Sequence, residues 1–470
     1  MVSDKFRHQL RHETEQWQAE GLINAELYQQ ISERYQFDSL ETSARNRFIA
    51  IVIGLGGILL GLAVITFVAA NWQAWSREVR VMLLLSLFIG VNAAGFYLWR
   101  TPPTSAAQRK ENGGKQRLGQ ALLLLGAIIL GANMALMAQM FHIGGSPYGL
   151  YLAWGLGVLA MAYSLRLTSL GVLAILLIGC GYWLGVFTWG AKESSWLALL
   201  VQHMPVVASL LFVPLAYWCR SRAIFALAAI LVVFSLETSL AQGSSGAPAL
   251  MTALMCAMPP ALLWGYDDTL WPHIHRKLFQ PLARNLALLC LAITFYILAF
   301  QWLWQSSPRQ PVDAQTLMGW SSLLDVALLG ALIVWQWLRL GRQGRNHPTR
   351  RGVDLTTNVI ACFIAISALI PLFHNSFSPI SELAIFLFNV LLFLLAGGLI
   401  REGLALGNRP TFWGGITLLA LQIVSRLLEY ETGLLFKAFV FFLCGIGVIA
   451  AGLLFERYSS VLTPSQENSQ

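Results

Sequence analysis

Asp325 lies eight residues into an apolar run that reads from about 317 to 338, and it is the deepest acid in the chain. Holding a charge at the centre of a bilayer costs about 2.5–3.5 kcal/mol on insertion scales, so acids retained there mark ion or proton paths. Asp325 is therefore the first candidate for an ion or proton site. Glu237 is the second, near the end of the apolar run 222–241. Arg426 and Glu429 stand three apart inside 411–430, the spacing at which helical side chains meet, and form a candidate intramembrane pair. Glu382 and the amides Asn92, Asn133, Gln139, Asn358, Asn389 and Gln422 add polar groups within apolar surroundings. The competing reading is structural: interhelical hydrogen bonds worth about 0.6 kcal/mol each on average.

Other chemistries find less support. His8 and His12 have the i, i+4 spacing of a two-histidine metal edge, but no third ligand is fixed, and a solvated pair fits their polar face better. The six cysteines are scattered one per apolar run without a CxxC, and read as small packing residues. Gly113-Gly114-Lys115 departs from the phosphate-binding pattern, with Arg109 at the first glycine position and Gln116 in place of Ser/Thr. No HExxH or GxSxG occurs. The expectation is no catalytic residue, no cofactor, no metal site and no enzyme activity.

These residues sit on fourteen apolar stretches: 48–70, 79–99, 118–141, 148–165, 168–189, 196–218, 222–241, 247–265, 285–305, 317–338, 355–373, 379–400, 411–430 and 434–455. Each is close to the ~20 residues that cross a ~30 Å hydrocarbon core. With 56% hydrophobic residues, 11% charged and a mean hydropathy of +0.62, the chain cannot cover itself with a wetted surface. In lipid each backbone donor must be satisfied within its own segment, so such stretches are helices. The fold expected is all-α: a polytopic integral membrane protein with about fourteen transmembrane helices over 48–455. A cytoplasmic helical hairpin over 1–47 precedes them, and a tail over 456–470, expected to be disordered, follows.

A net charge of +8 raises the question of nucleic-acid binding, but the charges are distributed as a topology signal. With a cytoplasmic N-terminus and fourteen spans, 25 of the 31 lysines and arginines fall in cytoplasmic segments; only Arg77, Arg80, Lys192, Arg309, Arg426 and Lys437 do not. That asymmetry sets orientation in membrane proteins. Both termini are expected in the cytoplasm of a bacterial inner membrane, with the lipid bilayer as partner and no nucleic acid. Tryptophans such as Trp196, Trp218, Trp264, Trp302, Trp304, Trp335 and Trp413 fall near span ends, as interfacial anchors do.

Ahead of the spans, Gly21 supplies a left-handed stop for a first helix and Asn24 caps a second. Trp17, Ile23, Leu27, Ile31 and Tyr35 make an apolar face on this hairpin, suited to a second copy or a membrane partner through residues 4–47. Gly54, Gly57 and Gly61 form a small-residue stripe on the first span, and Gly181 with Gly185 repeats it on the fifth, which lets helix backbones approach closely.

The pattern Trp17, Gly21-Leu22-Ile23, Ile31 and Tyr35 precedes a glycine-rich span closing on Ala69-Ala70-Asn71-Trp72. Gly131-Ala132-Asn133, Gln139-Met140-Phe141-His142 and Trp154 follow. Together these resemble the bacterial membrane-protein family catalogued as domain of unknown function 2157, best over 1–165. A fainter likeness to its longer members runs through Arg426, Phe439 to Phe442, Gly445 and Phe455-Glu456-Arg457. The resemblance implies an inner-membrane location and carries over no catalytic residue. The function expected first is a non-catalytic membrane component that presents the N-terminal hairpin. The alternative is a secondary transporter or flippase using Asp325.

Overall fold

The computed structural model describes residues 4–35, 59, 66, 70, 74–100, 108–188, 196–242, 248–268, 278–304, 320–345, 355–430 and 433–462. Helix is the regular structure throughout these residues, and none of them forms a strand. They fall into two units, Met1–Ile89 and Gly90–Gln470.

In the first unit, helices α1 (Asp4–Ala19) and α2 (Ala25–Tyr35) are the expected hairpin. Gly21 adopts φ +74°, where a side chain would be strained. The turn closes as Leu22 N–H donates to the Trp17 carbonyl at 2.9 Å. Asn24 Oδ1 accepts from the Leu27 N–H at 2.9 Å, satisfying one of the free donors that begin α2. Of the apolar face, Trp17 and Leu27 are exposed and Ile23 and Ile31 half-buried; the side chain of Tyr35 lies outside the described residues, as do those of His8 and His12.

The long helices are α3 (Arg77–Arg100), α4 (Gln108–Met140), α5 (Pro147–Leu165) and α6 (Thr168–Thr188). After the short α7 (Trp196–Gln202) come α8 (Met204–Cys219), α9 (Arg222–Gln242), α10 (Pro248–Gly265) and α11 (Gln280–Leu298). The series ends with α12 (Trp320–Arg345), α13 (Leu355–Ser376), α14 (Ser381–Leu406), α15 (Arg409–Glu429) and α16 (Leu434–Leu462). Among the described residues twelve helices are long and apolar enough to cross a membrane, and thirteen if α7 and α8 count as one bent span. The first expected span, 48–70, falls outside the described residues except for 59, 66 and 70, as do Gly54, Gly57 and Gly61.

Close backbone approach holds several pairs together. A Cβ on Gly181 would lie 3.1 Å from the Leu152 backbone nitrogen, and one on Gly185 3.0 Å from Val201. The predicted stripe on α6 is therefore a packing seam against α5 and α7. At Gly131 the Trp154 ring fills the space a side chain would need, and Trp154 Nε1 donates to the Ala127 carbonyl at 2.7 Å. That contact gives the Gly131…Trp154 pattern a structural reason.

Two expected spans differ from the structure. The sixth, 196–218, is not one helix: α7 and α8 meet at His203 with a bend of 86°. The sequence Met204-Pro205 opens α8, and proline fits a first turn but not a helix interior. The ninth, expected at 285–305, starts earlier at Gln280 and stops at Leu298, followed by a short 3₁₀ turn over Gln301–Trp304.

Two of the expected interfacial tryptophans are core residues instead. Trp264 and Trp304 are 4% and 6% exposed. The Trp304 indole N–H has the Leu298 carbonyl as acceptor at 2.7 Å, and the Arg284 guanidinium stands over the Trp264 ring. Trp196, Trp218, Trp302, Trp335 and Trp413 remain on the outside. Of the cysteines, only Cys256 is buried, while Cys180 and Cys362 are exposed, so packing accounts for fewer of them than expected.

Candidate functional site

The bend between α7 and α8 and Asp325, the sixth residue of α12 and so nearer its start than the eight residues of apolar run suggested, meet at one point. Asp325, fully buried, has its Oδ1 2.9 Å from Nδ1 of His203, the residue that caps α8 at the bend. Its second oxygen, Oδ2, is buried with no hydrogen-bond partner among the described residues. One turn along α12 from Asp325, Leu329 belongs to a buried hydrophobic cluster with Leu236 and Leu240 of α9, against which Val206 of α8 packs. A carboxyl group in such a place, with half of its acceptor capacity unused, is costly unless that capacity is filled during function.

Nearby polar groups continue from this pair. Tyr182 of α6 lies within electrostatic reach of Asp325. Its hydroxyl hydrogen-bonds Thr238 of α9, whose own hydroxyl donates to the Ser235 carbonyl at 2.9 Å. An imidazole hydrogen-bonded to a buried carboxyl group, at a bend between two helices, is an arrangement that can take up and pass on a proton.

Glu237 is not part of this arrangement. Next to Thr238 in sequence, it faces instead a cavity between α9, α10 and α11, with no hydrogen-bond or ion-pair partner among the described residues. The two sequence candidates for an ion site are thus in separate surroundings.

Arg426 and Glu429 do pair, as their spacing predicts, and both are mostly buried. Their further contacts are to backbone: Arg426 Nη1 donates to the Ala299 carbonyl at 2.5 Å, and Glu429 Oε1 accepts from the Gln301 N–H at 2.7 Å. The guanidinium also lies 4.2 Å from the Phe300 ring centre. This pair ties the end of α11 to α15, with Gln422 donating to the Asn389 carbonyl at 2.8 Å one turn away. Its role is to fix helix ends.

A second polar node escapes the sequence patterns. Asp268, 1% exposed, accepts backbone N–H groups of Phe279 at 3.0 Å and Gln280 at 3.1 Å through Oδ2, so it caps α11 from eleven residues upstream. Tyr217 donates to its other oxygen, and the Tyr266 hydroxyl lies 2.6 Å from that of Tyr217. Burial raises the Tyr266 phenol above its ordinary pKa, which keeps it a donor at neutral pH. The chain Tyr266–Tyr217–Asp268 locks α8, α10 and α11 at one end. Among the described residues no three His, Cys, Asp or Glu side chains gather as a metal site.

Residues 15–171 match the model of a family described as predicted membrane protein (DUF2157). The matched part takes in α2 to α5 with the Gly131…Trp154 contact, and stops short of the break at His203 and of the C-terminal likeness at 426–457. No curated relative and no solved structure matches the chain.

Proposed function

We propose that this multi-pass membrane protein is a secondary transporter or flippase rather than an enzyme, with His203 and Asp325 as its proton or ion site. One observation carries the reading: a buried carboxyl group, half satisfied, held by a histidine at the 86° bend between the apolar helices α7 and α8. Broken helices are a recurring transporter device, because their free ends supply partial charges without a charged side chain. Reconstituted vesicles loaded with a pH-sensitive dye and given a panel of solute gradients should show solute-driven proton movement. Asp325→Asn is expected to lower it at least tenfold; an identified solute flux that this substitution leaves unchanged would remove the site.

A second reading stands on a different observation. Trp17, Leu22 and Leu27 leave apolar surface exposed on the polar hairpin, which suits docking to a second copy of the chain. The distribution of basic residues supports a cytoplasmic side of the inner membrane for this hairpin and for both termini. An impermeant thiol-oxidant should therefore trap a Leu27→Cys dimer from the cytoplasmic face of vesicles. Monomer alone, or reaction from the opposite face, would count against the hairpin reading and the orientation respectively.

A further inference from the structure

A cavity of about 750 Å³ opens between α9, α10 and α11, within the range of sites that hold drug-sized ligands. Its walls are aliphatic and aromatic, with Thr252, Thr294, Cys256 and Cys290 as weak polar points and one ionisable carboxyl group, Glu237. Among the described residues no lysine, arginine or histidine lines it. Thr252 already gives its hydroxyl to the Pro248 carbonyl of its own helix at 2.8 Å. Glu237 therefore faces the space without a hydrogen-bonded or charged partner among the described residues.

The mouth of the cavity is equally telling. Ile230, Leu289 and Ile293 line it, and each is more than half exposed on the outer surface of a helix apolar enough to span a membrane. A ligand reaching it through these residues arrives from the hydrocarbon, not from water. Charge complementarity then narrows the ligand. A carboxylate in apolar surroundings is relieved by a partner that brings positive charge and N–H donors. A phospholipid would bring a phosphate for which the described walls hold no cation. An alkyl or aryl body, by contrast, matches the walls by burying apolar area.

We infer that this cavity binds a lipophilic amine, a single protonated amino group on an alkyl or arylalkyl body, taken up laterally from the bilayer with Glu237 as its counter-charge. The site is distinct from the His203–Asp325 pair, neither member of which lines it, so it stands or falls independently of the transport reading.

The test uses the full-length protein in phosphatidylcholine nanodiscs with a photoreactive dodecylamine carrying a diazirine in its chain. Labelling should map to Phe234, Cys290 and Ile293, and unlabelled dodecylamine should compete at least tenfold better than dodecanol. Glu237→Gln should lower labelling tenfold or more. Ile293→Trp, which fills the mouth and keeps the carboxyl group, should abolish it, and this variant decides the matter if the first does not fold. Equal competition by dodecanol would show an unselective greasy cleft and overturn the inference. So would labelling undiminished in Glu237→Gln, or in Ile293→Trp.

Discussion

His203→Ala lowers the stability of the helical domain by about 3–5 kcal/mol, the loss expected when a buried ionic or strongly hydrogen-bonded carboxyl group is stripped of its partner. Asp325 has no substitute at hand: Oδ1 has His203 as its one partner among the described residues, and Oδ2 has none. The reverse change is gentler, because Asp325→Leu removes the buried polar group together with its need, leaving a histidine that is partly exposed. The double variant should recover most of what His203→Ala loses, giving a coupling energy of about 2 kcal/mol or more in a double-mutant cycle. Unfolding in mixed detergent, followed by helical circular dichroism, measures all four corners. Additive losses, or a cost below ~1 kcal/mol for His203→Ala, would mean that the two side chains are neighbours without an energetic bond.

Asp268→Ala is expected to cost a similar ~3–5 kcal/mol, through a different mechanism. It leaves the N–H groups of Phe279 and Gln280 buried without acceptors, at about 1–3 kcal/mol each, and removes an N-terminal cap. Damage should spread from there, since Phe279 is 1% exposed and stacks on Phe225 with ring centres 4.8 Å apart. Asp268→Asn retains a carbonyl acceptor and should lose roughly 1–2 kcal/mol, the scale of one weakened hydrogen bond. The same unfolding measurement separates the two variants. If they prove equally damaging, the negative charge rather than the capping geometry is what α11 requires.

Local chemistry was easy to read from the chain, and long-range partnership was not. Gly21 and Asn24 act within a few residues of themselves, and both do what their types predict. Asp325 stands out because an acid in hydrocarbon is expensive wherever its partner comes from. That partner, His203, lies 122 residues away, at a position that looks like an ordinary span interior. Averaged hydropathy carries straight through Gln202-His203-Met204, and only Pro205 hints that the helix restarts there. Asp268 is hidden for a related reason: an acid in a polar loop attracts no notice until the chain folds back to offer it two amide groups. Asp325 and Glu237 are both acids in apolar runs, yet the first meets a histidine and the second an open apolar space. Depth in a helix identifies a costly group but says nothing about what it faces.

The last helix offers a different kind of consequence. The membrane-length part of α16, Leu434–Leu453, has no buried residue; Val448 and Ala451 pack against Phe412 and Ile416 of α15, and Gly452 comes near Trp413. Among the described residues little else packs on it, so in a bilayer acyl chains are the solvent for that surface. Its amino acids are then selected by partitioning, so exchanges among leucine, isoleucine, valine and phenylalanine should be nearly silent at most of its positions. A lone arginine at its centre would meet the full penalty of the oil around it.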